Sequence, residues 1–221
     1  MIKKLLISGY ILAMVLLMNG VVNATTYTDN FDSGTQLTWE NQRGNWGASG
    51  GVYYAGSPGN VPVTASLLPY NLTNFSAEVD ISGLGDGGLW ARANSTATAG
   101  VMLILHSYDI YWHVITDPSN GPWASYGSQA WSGTNVHVRL TGIGNILSAY
   151  LNGATTPITT LDLSTFSGYS IGRFGLYSNS GMTFDNVSLT DFASPVPEPA
   201  TMLLLGLGLV GLAGVRRKFK K

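Results

Sequence analysis

An antiparallel β-sandwich is the fold this sequence predicts for residues 25–193, and three observations predict it. In FSAEVDISG, Phe75, Ala77, Val79 and Ile81 alternate with Ser76, Glu78, Asp80 and Ser82, the period of two of a strand with one buried face. Short apolar runs recur between Gly, Asn, Ser and Pro clusters, as short strands joined by turns require. Nothing in the same region carries a helical period for longer than a turn or two, and no internal repeat is present.

The chain opens on a different pattern. Lys3 and Lys4 precede an apolar stretch from Leu5 to Met18, and Val22 and Ala24 supply small residues at signal-peptidase spacing. Residues 1–24 therefore read as a secretory signal peptide, cleaved after Ala24. Past FSAEVDISG, GVMLIL at residues 100–105 is apolar on both faces. The chain resumes as IYWHVI after His106, Ser107, Tyr108 and Asp109, which predicts a hairpin. NVHVRLTG sets Val136, Val138 and Leu140 against His137, Arg139 and Thr141. Asn152-Gly153 suits a tight hairpin turn, and Gly172 and Gly175 are expected to flank a strand. In MTFDNVSL the alternation slips phase, because Met182 and Phe184 share one parity and Val187 and Leu189 the other. A bulge near Asp185-Asn186 reconciles them.

Residues 194–199 read as a linker, stiffened by Pro195, Pro197 and Pro199. Residues 200–215 are an uncharged run that as a helix would span about 24 Å. That is short of a bilayer core of about 30 Å, a gap that local thinning and snorkelling cations can close. Arg216, Arg217, Lys218, Lys220 and Lys221 stand where snorkelling needs them, so 200–215 reads as a single transmembrane helix and 216–221 as a basic cytoplasmic tail.

With both ends set aside, the charge balance changes. Between Thr25 and Pro195 there are four arginines, no lysine and 11 carboxylates, a formal net charge of −7. Such a surface repels nucleic acid and anionic lipid, which excludes both as partners of this region. The chain has no cysteine, so disulfides, thiolate metal sites and thiol nucleophiles are excluded. Packing alone must hold the sandwich.

Pro197-Glu198-Pro199 before an apolar run and an Arg-rich end resembles the PEP-CTERM sorting signal of Gram-negative bacteria that make exopolysaccharide. That resemblance implies an exosortase as processing partner. It also implies a membrane-anchored precursor that later reaches the cell surface or extracellular matrix. Within the exported part, DNFDSG, WENQRGNWGASGGVYY, FSAEVDISG, YLNG and GRFGLYSNSGMTFDNVSL, in that order, resemble the concanavalin A-like jelly rolls of the LamG-like and 3-keto-disaccharide-hydrolase-like branches. This resemblance implies a fold that hosts lectins, adhesins and hydrolases alike.

Retaining glycosidases of that superfamily carry a Glu-x-Asp-x-x-Glu strand. Here Glu78 and Asp80 take the first two places and Gly83 stands in the third, so the proton donor of a double displacement is missing. A non-enzymatic module is the expectation, with glycan or keto-disaccharide hydrolysis as its competitor and a purely adhesive or structural role as a third reading. Matches to G-x-S-x-G around Ser49 and Ser170 lack the helix that a nucleophile elbow needs. His106, His113 and His137 have no ligand spacing, and no metal site or cofactor is expected from them. Structural calcium would find its hard oxygen ligands in Asp86, Asp109, Asp117 and Asp185, although no spacing singles out a cage.

Aromatic residues carry the strongest functional signal. Tyr108, Tyr111, Trp112, Trp123, Tyr126 and Trp131 fall close together, and Trp123, Tyr126 and Trp131 lie in the loop-like SNGPWASYGSQAW. Flat sugar faces stack on such rings while Asn, Ser and Asp side chains take the hydroxyls. Trp112 is assigned to the core. Trp123, Tyr126 and Trp131, with Glu78 and Asp80 lining a groove, are the carbohydrate-binding candidates, and a polysaccharide is the expected ligand.

Overall fold

The computed structural model describes residues 24–119, 121 and 123–192. The signal peptide up to Asn23, the linker, the membrane helix and the basic tail predicted above lie outside the described residues.

Two antiparallel sheets face each other. The larger runs β12 (Thr159–Asp162), β11 (Ile146–Leu151), β10 (Asn135–Ile143), β5 (Phe75–Ser82), β14 (Thr183–Phe192), β3 (Val52–Ala55) and β2 (Trp46–Ser49). Its eighth strand, β1 (Ala24–Asp29), pairs with β14 from Ala24 opposite Phe192 to Asp29 opposite Val187. The smaller sheet runs β4 (Ser66–Leu67), β13 (Arg173–Ser178), β6 (Asp86–Ala93), β7 (Gly100–His106), β8 (Asp109–Ile115) and β9 (Ser125–Ala130). No helix occurs among the described residues, so none there is long and apolar enough to cross a membrane.

Alternation decides which side chains are inside. Along β5 the buried and half-buried positions alternate from Phe75 to Ile81, and along β10 Val136, Val138 and Leu140 are buried while His137, Arg139 and Thr141 are not. These apolar faces meet Leu89, Ala91, Val101, Leu103, Leu105 and Trp112 of the smaller sheet in the main core. Burying each large apolar side chain stabilises the fold by about 1.5–3 kcal/mol. The apolar run of β7 is explained by a second layer: Met102 and Ile104 point away from the main core and pack with Val63, Ala65, Leu67, Trp90 and Tyr177. Trp112 is fully buried, its indole donating to Thr159 Oγ1 at 3.1 Å.

The predicted hairpin forms between β7 and β8, with Leu105 opposite Ile110. The phase slip in β14 is a bulge: the register with β5 shifts between Asp185 and Ser188, and Asn186 has φ 49°. Two expectations need correction. Asn152 and Gly153 do make a tight turn, with φ 53° and 77° and the Ala154 amide donating to Leu151 O. The chain then runs on before it pairs again, because β12 meets β11 only from Thr159 opposite Ala149. Gly175 does not flank a strand either. It lies inside β13, where a Cβ would come within 2.5 Å of Ser66 O, so the close approach of β4 requires glycine there.

Candidate functional site

The outward parity of β5 and β10 builds a polar surface on the larger sheet. Register sets His137 opposite Asp80 and Arg139 opposite Glu78, and β14 sets Asp185 opposite Asp80 from the other side. His137 Nδ1 donates to Asp80 Oδ1 at 2.7 Å, and Asn186 Nδ2, aimed inward by the bulge, donates to Asp80 Oδ2 at 2.8 Å. Partial burial works to raise the Asp80 pKa, but the hydrogen bonds from Asn186 and His137 outweigh it and hold the carboxyl below its usual value. Asp80 is thus a fixed anionic acceptor. The other ring nitrogen of His137 lies 3.7 Å from Glu78 Oε2, and the His137 amide donates to Asn152 Oδ1 at 3.1 Å.

These groups surround an open depression of about 390 Å³ lined by Asp80, Ser82, Asn135, His137, Asn152 and Asp185. At its side, the Arg139 guanidinium lies 3.7 Å from the centroid of the Tyr150 ring. The other three arginines of this region are engaged in structure. Arg43 donates to the carbonyls of Val63, Thr96 and Ala97, Arg92 to those of Leu72 and Gly144, and Arg173 pairs with Glu40. The depression therefore offers carboxylates, amides, hydroxyls and an imidazole, a hydroxyl-binding set next to a planar aromatic-guanidinium stack.

The sequence-predicted residues do not all meet here. Glu78 and Asp80 do. Trp123 sits on the outer side of the smaller sheet, at the end of a file of rings in which Tyr108, His106, Tyr111, His113 and Trp123 follow one another at centroid distances of 5.0 to 5.7 Å. Tyr126 and Trp131 instead pack against the main core, Tyr126 edge-on to Phe166 and Trp131 with its indole donating to Asp109 O. Ala24 is the first residue of β1, while Pro197, Glu198, Pro199, Arg216 and Arg217 lie outside the described residues.

The four loop aspartates are dispersed. Asp86 and Asp109 flank His106 at 3.5 and 2.7 Å, Asp117 accepts from the Ser119 amide, and Asp185 belongs to the other sheet. Among the described residues no three histidine or carboxylate groups gather to hold a metal ion. His137, Asn135, Asn152 and Asp185 are the site residues that sequence reading missed. The parity of NVHVRLTG already turned His137 outward, but only register brings it to Asp80.

Gly83 follows β5 with φ 69° and offers no side chain where a second glutamate would stand. Asp185, however, faces Asp80 across one strand pair, where Cβ atoms are about 5 Å apart. Asp185 itself accepts the Asn186 amide at 2.6 Å.

The fold has well-matched counterparts. The carbohydrate-binding module CBM66 from Bacillus subtilis superimposes with a TM-score of 0.56 at 20% identity, covering 69% of this chain and 95% of that one. A xylan β-1,4-xylosidase from Bacillus halodurans C-125 gives 0.53 at 11% identity, covering 74% and 39%, and the apo Crh5 transglycosylase 0.52 at 14%, covering 80% and 88%. At these identities the likeness establishes the β-sandwich alone. No curated protein matches the sequence. The C-terminal segment is decided more directly: residues 195–218 match the PEP-CTERM protein-sorting motif, so this chain is a β-sandwich protein that carries a PEP-CTERM sorting signal.

Proposed function

We propose that this is an exported glycan-binding protein, anchored as a precursor by its PEP-CTERM tail, processed by an exosortase and delivered to the cell surface or its surrounding polysaccharide. The depression around Asp80 carries this reading. Asp80 is held by His137 and Asn186 in a fixed orientation, with Asn135, Asn152 and Ser82 around it and the Arg139–Tyr150 stack alongside. Preorganised acceptors and donors beside a flat ring are what a sugar's hydroxyls and C–H face require. The fold is shared with a protein named as a carbohydrate-binding module, which supports the reading without extending it to a particular sugar.

Full-length chain titrated on a glycan array identifies the ligand. Asp80→Asn and His137→Ala are then expected to weaken binding roughly tenfold each, about 1.4 kcal/mol, without turnover of the bound glycan. Retained affinity in both variants overturns the assignment of this face.

Asp185 favours a second reading, glycoside hydrolysis, because it places a second carboxylate directly across the strand pair from Asp80, and a retaining mechanism needs two. Release of reducing sugar from the bound glycan, abolished by Asp80→Asn or Asp185→Asn, would establish hydrolysis instead of binding. Both carboxylates accept hydrogen bonds, from Asn186 and, for Asp80, His137 as well. The hydrogen bonds that hold the Asp80 carboxyl below its usual value make it a poor proton donor for leaving-group departure, and binding is the reading we adopt.

A further inference from the structure

A separate concavity of about 300 Å³ opens between the loop that follows β1 and strand β2. Trp39, Trp46 and Tyr53 line it, with Thr35, Asn41 and Gly47 among its rim residues, and none of the lining side chains is charged. Trp46 and Tyr53 are 6% and 2% exposed, so the partly exposed Trp39 is the ring that a ligand can cover. Tyr53 lies 5.3 Å from Trp39 and 5.4 Å from Trp46, backing the pocket with aromatic rings.

The three rings are fixed by polar bonds. Trp39 Nε1 donates to Asp29 Oδ2 at 3.0 Å, Trp46 Nε1 donates to Arg43 O at 2.8 Å, and Tyr53 Oη pairs with Ser66 Oγ at 2.8 Å. Asn41 clamps the Trp46 backbone on both sides, accepting from its amide and donating to its carbonyl. The segment that builds the pocket also holds Phe31, Asn41 and Asn45 at φ 54°, 48° and 51°. Left-handed backbone at non-glycine residues costs on the order of 1–3 kcal/mol each, and such strain concentrates at ligand sites; for an aromatic residue such as Phe31 it is a marked departure.

From this geometry we infer a second sugar site: the pocket takes one neutral sugar ring, at the end of a glycan chain, stacked on Trp39. Its volume is at the small end of ligand sites, which suits a single ring and not a chain passing through. An uncharged lining selects a neutral sugar over a uronate or sulfated one, because a buried unpaired anion would find no cation there. Thr35 and Asn41 at the rim supply the hydroxyl contacts. This site is independent of the Asp80 face, and a chain occupied at both holds two glycan segments at once.

Ala48 gives a direct test. It lines the pocket, shares the face of Trp46 on β2 and lies opposite Tyr53, so Ala48→Leu fills the pocket beside the rings. Full-length chain is titrated with cellohexaose, laminarihexaose, xylohexaose and a levan oligosaccharide by ligand-observed NMR, with an alginate hexamer as the charged control. The expected result is at least one neutral oligosaccharide bound with saturation confined to its terminal ring, its affinity at least tenfold weaker in Ala48→Leu at unchanged thermal midpoint. Should Ala48→Leu not fold, Thr35→Trp at the exposed rim blocks the same opening. Wild-type affinity for every oligosaccharide in the plugged variant overturns the pocket while leaving the Asp80 face standing, and loss only in Asp80→Asn does the same. Binding of none of the neutral panel by the wild type overturns both, and preference for alginate overturns the neutral selectivity.

Discussion

Asp29 is 1% exposed and accepts four hydrogen bonds, from the amides of Phe31, Gln36 and Leu37 and from Trp39 Nε1. A buried carboxylate so supplied is a structural hub, since each of those donors would otherwise be stranded at a cost of about 1–3 kcal/mol. Replacing it with Ala is expected to lower the unfolding free energy by roughly 3–5 kcal/mol, read from the midpoint and slope of chemical denaturation. An unchanged midpoint would mean that the 30–39 loop finds water for its donors. Nothing in the string TDNFDSG distinguishes Asp29 from Asp32, which is exposed. Only the fold, by running the next turns around the end of β1, turns the first of the two inward. Glu78 and Asp80 were readable as an outward pair from parity alone, whereas the donors that fix Asp80 come from strands far away in sequence.

Strand-level reading named the inward face where one face is buried, and for the doubly buried β7 it named the strand and its hairpin but not what covers its outer side. β5 and β10 alternate as their sequences require, and the β14 bulge follows from a change of parity visible in MTFDNVSL. By contrast, β6 and β7 are buried on both faces, and no local pattern names Val63, Ala65 and Leu67 as the cover of their outer side. The same sheet carries His113 on β8, between Tyr111 and Trp123, with Nδ1 3.0 Å from Ala124 O. Burial pushes its pKa below the usual histidine value and the Ala124 bond and Asp86 only partly restore it, with His106 adding to the lowering. The unfolded chain therefore binds this proton more tightly than the folded one. Stability contributed by neutral His113 is intact above about pH 6.5 and is lost as pH falls through that value towards the depressed folded pKa. Urea midpoints measured between pH 7.5 and 5 are expected to decline with acidification, and His113→Phe to flatten that decline. A wild-type slope in the variant would assign the proton uptake to another group.

At the scale of the molecule, the exported part and the tail carry opposite charge for different ends. Three of the four arginines between Thr25 and Pro195 are bound to carbonyls or to Glu40, so the sandwich meets its surroundings as an anion with Arg139 as its stacked cation. The five cations that follow Arg173 all come after Val215: Arg216, Arg217 and Lys218 close the PEP-CTERM match, and Lys220 and Lys221 lie just beyond it. β14 ends at Phe192, three residues before that match begins, so the sorting signal follows the last strand with little intervening chain. If the tail is the only attachment, removing residues 195–221 is expected to move the protein from the membrane fraction to the soluble exported fraction with the sandwich intact. If the Pro-Glu-Pro element is what the exosortase reads, replacing Pro197, Glu198 and Pro199 together by Ala should leave the anchor working but the chain unprocessed. Pulse-chase labelling in a PEP-CTERM-sorting host separates the two: the deletion lowers membrane association from the first time point, whereas the triple variant stays membrane-bound and full-sized at times when the wild type has shortened. Processing of the triple variant at the wild-type rate would remove Pro197, Glu198 and Pro199 from the recognition step and leave the basic end, Arg216 and Arg217 foremost, as the part to be read.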